Sequence, residues 1–250
     1  MEPKPWRVFT IELIGVFGLV LFSAGLVCIN QTTTPAGQTA PAVLTSHQPG
    51  VVGIALGHGL ILAAMLALSA PVTGGYLNPA IVVMLWVMGR IDSRRAILLI
   101  AAQLLGSILA ALCLQVTFAS TVLQSAHFGA PHVNPLVYAE PDYSMLIAGA
   151  LIEVVLTFFL VFAIFALATG DTLRLGIIAG MIATACALFG YPLTGAALNP
   201  ARWLGPTLLE AFHTTSAAWN HSVVYLAGPI LGALAGGLAA FKLYPPPETK

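Results

Sequence analysis

The sequence predicts an all-α membrane protein of six transmembrane helices and two half-helices, built as an inverted repeat of two three-helix units. Three observations carry that prediction. Only 7% of the 250 residues are charged and 58% are hydrophobic. A soluble domain carries about 25% charged residues, so this chain lacks the charge to cover a water-facing surface. Six continuous apolar runs approach or exceed the roughly 20 residues that cross a bilayer as a helix; barrel strands would give short alternating segments instead. Finally, Leu-Asn-Pro-Ala occurs twice, at 77–80 and 198–201, 121 positions apart (199 minus 78).

The elements follow in order. The run 8–29 comes after Lys4 and Arg7. A secretory signal shares that basic flank, but this run is long and has no clear small-residue cleavage site, so it reads as the first span. Polar residues 30–49 lead to span two at 50–70. The apolar piece 78–89 has 12 residues, too few to cross alone. Span three is 96–118, followed by a polar loop at 119–144, span four at 145–168 and span five at 174–191. A second short piece of 13 residues, 199–211, precedes span six at 221–243.

Charge sets the orientation. Eight of the nine Lys and Arg residues (Lys4, Arg7, Arg90, Arg94, Arg95, Arg174, Lys242 and Lys250) fall on one side of a six-span chain. The positive-inside rule then makes both termini cytoplasmic in an integral, multi-pass protein. Arg202 alone falls towards the opposite side. The net charge is zero, which points away from a nucleic-acid partner. Cys28, Cys113 and Cys186 sit in apolar runs with no CxxC or Cys/His cluster, and read as small buried apolar groups. His47, His127, His132, His213 and His221 fall in loops or at span ends. Their spacing suggests no metal triad, and they read as solvated. Asn30-Gln31-Thr32 fits a glycosylation sequon weakly.

The two halves echo each other. Glu12 in span one matches Glu153 in span four, as the first Leu-Asn-Pro-Ala matches the second. Three spans per unit is an odd number, so the second unit sits inverted. Inverted repeats with broken helices place the functional site near the midplane where the units meet. Asparagine is a favoured N-cap, and proline suits the first helical position. Thus Asn78-Pro79-Ala80 and Asn199-Pro200-Ala201 each start a half-helix. Irregular backbone before them is tolerated at membrane depth only where it is buried or lines water. The two half-helices meet N-terminus to N-terminus, each presenting about half a positive charge, with the Asn78 and Asn199 amides at the meeting place.

This pattern resembles the major intrinsic proteins, the family of aquaporins and aquaglyceroporins. The residues that carry the resemblance are Glu12, the two Leu-Asn-Pro-Ala segments, Gln103, Gly106, Glu153, Arg202 and Gly228-Pro229, and they extend over nearly the whole chain. The resemblance implies that residues 1–250 form a single channel domain with halves of about 1–125 and 126–250. It implies one pore per protomer, a homotetramer, and passive conduction of water or small neutral solutes with protons and ions excluded. It implies no enzyme activity, catalytic residue, cofactor or metal. It also implies that Glu12 and Glu153 brace the Asn-Pro-Ala loops by accepting backbone hydrogen bonds.

Carried over by spacing, the family's four-residue filter falls on His58, Ala187, Ala196 and Arg202. Water-selective members usually place an aromatic in span two and a histidine in span five. Glycerol-conducting members usually have two aromatics and a small residue. A histidine in span two, as in some plant vacuolar members, with two alanines implies an opening wider than a strict water filter. Trp203 stands where glycerol facilitators often carry aspartate. Tyr76 stands where histidine is usual, and Tyr225 and Leu226 precede Gly228-Pro229. The favoured reading is a channel for water with glycerol, urea, ammonia or metalloid hydroxides. A strictly water-selective channel is the alternative. An ion-coupled transporter would have to use Glu12 or Glu153. An intramembrane enzyme would need a nucleophile with a base or facing carboxylates, and no such spacing is present.

Overall fold

The computed structural model describes residues 3–31, 48–137, 143–167, 171–214 and 218–244. Most of the 30–49 segment, including Thr32 and His47, and Lys250 lie outside the described residues. No strand occurs among those described. Six helices are long and apolar enough to cross a membrane: α1 (Pro5–Asn30), α2 (Gly50–Thr73), α4 (Ser93–Thr117), α6 (Tyr143–Ala166), α7 (Thr172–Thr194) and α9 (Ser222–Leu243). Two half-length helices, α3 (Pro79–Val87) and α8 (Pro200–His213), complete the repeat.

The expected spans need small corrections. Helices α2 and α7 run on to Thr73 and Thr194, through Pro71 and Pro192 in their last turns. A proline there forfeits one hydrogen bond without ending the helix. The stop comes instead at Gly74 (φ 101°) and Gly195 (φ 76°), which take the left-handed conformation that closes a helix. The loop expected over 119–144 contains a short helix, α5 (Ser120–Ser125), and a 3₁₀ turn, His127–Gly129. Asp92 and Asp171 cap α4 and α7, their carboxylates accepting from Arg95 N (2.8 Å) and Arg174 N (3.0 Å). Asn30, the sequon asparagine, accepts a 2.9 Å hydrogen bond from Gly50 N and so ties the end of α1 to the start of α2.

The helices associate through small residues, as expected where lipid removes the hydrophobic drive between them. Helix α9 lies along α6, α2 along α7, and α1 along α4. A methyl group at Gly228, Gly232 or Gly236 would run into α6 at Ala150, Val154 or Phe158. Large apolar side chains such as Leu60, Leu68, Ile97 and Met181 face outward. The halves interlock: α3 seats against α9, and α8 against α4. Ser107 of α4 enters the hydrogen-bond ladder of α8. Its hydroxyl accepts from Gly205 N (3.1 Å) and donates to Ala201 O, beside Pro206, which has no N–H to give.

Candidate functional site

The site is built where α3 and α8 begin. Asn78 and Asn199 adopt almost identical extended backbones (φ −152°, ψ 117° and 116°) and cap their helices by side-chain oxygen. Asn78 Oδ1 accepts from Ala80 N and Asn199 Oδ1 from Ala201 N, each at 2.9 Å. The amide nitrogens then cross the pseudo-twofold axis. Asn78 Nδ2 donates to Leu198 O (2.9 Å), and Asn199 Nδ2 donates to Leu77 O (2.8 Å). Each asparagine therefore holds the residue before the other one. Leu77 and Leu198 have positive φ (49° and 54°), which non-glycine residues adopt at a cost. The reciprocal lock, with the carboxylates described next, over-determines that conformation.

Both carboxylates are fully buried. Glu12 Oε1 accepts from Thr73 Oγ1 (2.5 Å), and its Oε2 accepts from Leu77 N (2.9 Å) and Gln103 Nε2 (2.7 Å). Glu153 Oε1 accepts from Thr194 Oγ1 (2.6 Å) and Ala197 N (3.0 Å), and its Oε2 from Leu198 N (2.8 Å). The two sites are related by the repeat but differ in donors: Glu153 takes close hydrogen bonds from two backbone amides, whereas Glu12 takes one from Leu77, with the Tyr76 amide a second, weaker contact. The Gly195, Ala196 and Ala197 carbonyls accept no hydrogen bond from the described residues.

Of the four residues carried over as a filter, Arg202 and His58 line cavities. Arg202 lines an outer cavity of about 160 Å³ on the side away from the termini, together with Val27, Tyr191 and Gly195. Its Nη1 donates to Gly129 O (2.9 Å), and its Nε has no partner among the described residues. His58 lines a smaller inner cavity of about 10 Å³, with Tyr76, Asn78 and Asn199. Ala187 and Ala196 line neither and are almost fully buried, and the Ala196 methyl faces Gly190. Trp203 is buried in an aromatic stack, 5.7 Å from Tyr225 and 5.5 Å from Trp219 by ring centroids. Tyr225 donates its hydroxyl to Thr194 O (2.7 Å). Leu226 faces outward.

Tyr191 is absent from the sequence-derived set. It lies one helical turn beyond Ala187 on the same face of α7, an i, i+4 relation that was legible once the helix is known to run past Pro192. The outer mouth also departs from spacing along the chain. His127 Nδ1 lies 2.9 Å from Glu210 Oε1, and His132 Nε2 lies 2.8 Å from Glu210 Oε2. The hydrogen bond to Glu210 raises the His127 pKa above its ordinary value. These two histidines are paired rather than simply solvated. The available signal was Glu210 itself, a carboxylate within an apolar half-helix.

The comparisons agree with this architecture. The sequence profile described as "Major intrinsic protein" matches residues 1–240. Aquaporin TIP4-4 of Zea mays is 37% identical over 193 residues, covering 76% of this chain and 70% of that protein. Aquaporin-4 of Bos taurus is 31% identical, covering 98% of this chain and 70% of that one. The crystal structure of the aquaglyceroporin from Plasmodium falciparum matches in fold, with a TM-score of 0.75, 22% identity and 96% of each chain covered.

Proposed function

The chain belongs to the major intrinsic protein family, and on that basis we propose that it is a passive membrane pore for water and small neutral solutes such as glycerol or urea. The whole chain acts as one pore unit, both termini lie in the cytoplasm, and four copies assemble. The observation that carries this reading is the reciprocal asparagine lock at the facing ends of α3 and α8. Each amide spends one N–H on the opposing leucine carbonyl. The other N–H of each serves a passing oxygen at the inner cavity. A water that accepts from both asparagines turns its own hydrogens away from the centre, which breaks a proton wire. The two helix N-termini add a positive barrier to cations. Arg202 adds a fixed charge and donors above them, and the carbonyls at 195–197 accept hydrogen bonds from the solute.

A coupled transporter fits less well. Both carboxylates have their oxygens occupied by braces to the loops, so neither is poised for a coupling ion. A water-only pore draws support from the inner cavity, whose roughly 10 Å³ matches a single water-sized probe. Stopped-flow light scattering on proteoliposomes separates these readings. Fast shrinkage in sucrose with fast re-swelling in glycerol or urea supports the broad pore. Fast water without solute re-swelling selects the water-only reading. No flux above lipid background for any of the three rejects the channel.

A further inference from the structure

The geometry points to a binding site for one transition-metal cation of the zinc class at the outer mouth, formed by His127, His132 and Glu210, whose occupation restricts the pore. Two regions distant in sequence supply the ligands: the 3₁₀ turn His127–Gly129 with the extended residues directly after it, and the last turn of α8. The candidate ligand atoms all lie within 4.8 Å of one another. Two imidazoles and a carboxylate are a donor set that suits zinc and leaves a fourth position for water. Bonds of about 2.0–2.1 Å in a tetrahedron separate neighbouring ligand atoms by roughly 3.3 Å. The present His–Glu210 separations of 2.9 and 2.8 Å therefore need to open by about half an ångström, while the widest pair of ligand atoms, within 4.8 Å, needs to close.

Burial and access also fit. The Glu210 side chain is 1% exposed, whereas that of His127 is 58% exposed, so the anion is held inside and a ligand faces solution. His221 stands edge-on to His132, 6.2 Å between ring centroids, with its Nδ1 buried and unpartnered among the described residues. It is the group on hand to hydrogen-bond a water on the fourth position. The turn carrying His127 holds positive φ at His127 and Phe128 (48° and 54°), and Arg202 grips its Gly129 carbonyl at 2.9 Å. A shift of His127 onto an ion therefore pulls on the carbonyl that positions Arg202. His127, His132 and Arg202 also line the same 160 Å³ cavity. Glu210 lies eight residues beyond Arg202 on α8, about 12 Å along the axis.

The effect on flux rests on the channel reading; the site itself does not, and the test separates them. Purified full-length chain in detergent is titrated with cobalt(II). The expected result is the visible absorption of four-coordinate cobalt at one equivalent per chain, displaced by zinc. His127→Ala and His132→Ala should each weaken binding at least tenfold. Absence of the absorption, or its persistence unchanged in both variants, overturns the site and leaves the trio as an ion-paired brace. In proteoliposomes, micromolar zinc should slow water flux of the unsubstituted chain at least twofold, reversibly with chelator. The ratio of fluxes with and without zinc should return to one in His127→Ala, and magnesium should do nothing. Cobalt binding without a zinc effect on measurable flux overturns the restriction of the pore. If there is no flux under any condition, the channel reading fails, and the cobalt titration still decides the site.

Discussion

Replacing each buried glutamate by glutamine should expose an asymmetry that the repeat conceals. Glutamine keeps the shape but converts one acceptor oxygen into an NH₂ donor. At Glu153 either orientation sets that NH₂ against a backbone N–H, because Ala197 N lies on one oxygen and Leu198 N on the other. One charge-assisted hydrogen bond is lost and a buried amide is stranded, together about 2–4 kcal/mol. At Glu12 the NH₂ can replace Oε1, whose close hydrogen bond is to the Thr73 hydroxyl, the Tyr76 amide being a weaker contact of this carboxylate. That hydroxyl can turn to donate to Ser69 O, already 3.3 Å away, and accept from the amide. The Leu77 and Gln103 bonds then persist on the remaining oxygen. The loss at Glu12 is about 1 kcal/mol, the charge assistance together with the weak Tyr76 contact. The difference, roughly 2 kcal/mol, corresponds to about 4–8 °C in Tm for a chain of this size. Thermal unfolding of the purified variants in one detergent measures it. Equal losses, or a larger loss for Glu12→Gln, would refute the donor geometry assigned to the two braces.

Other expectations follow from the same coordinates. Arg202→Val removes the fixed charge above the asparagines and should admit small cations or larger solutes by at least tenfold; unchanged selectivity in solute and ion flux assays counts against its role. Ala187→Phe puts a ring one turn from the cavity-lining Tyr191 and should reduce glycerol or urea flux at least threefold more than water flux; equal losses would show that this position does not set width. Gly232→Leu drives a side chain into the α6 backbone at Val154 and should abolish the monodisperse folded peak in size-exclusion chromatography, overpacking of this kind costing about 3 kcal/mol or more. A folded, thermally normal variant would mean that α9 can move away from α6.

How far the site was legible differs residue by residue. Asn78 and Asn199 announce their caps because the signal is local: a capping side chain, a proline behind it and an apolar run. The bracing oxygens of Glu12 and Glu153 were approachable, since a carboxylate inside a span needs a partner. The individual donors were not, because Gln103 and the loop amides come from other elements. Ser107, an unremarkable serine in an apolar helix, shows nothing in sequence of its insertion into α8. Distance along the chain also hides the mouth cluster. Glu210 lies 83 residues from His127 and 78 from His132, so no spacing rule links them.

The sequence alone determines that this chain lives in a bilayer, that it crosses six times with two broken half-spans, and that its halves are inverted copies. Those properties follow from composition, run length and local capping, each the energy of a short segment against lipid or its own backbone. Only the tertiary structure decides that each asparagine clamps the leucine before the other, that Arg202 grips the Gly129 carbonyl, and that two loop histidines meet a buried glutamate. Each of these depends on where helices from opposite halves come to rest. That placement is set by close approach at small residues and by buried polar groups finding partners across 40 to 120 residues of chain, on the order of the repeat itself.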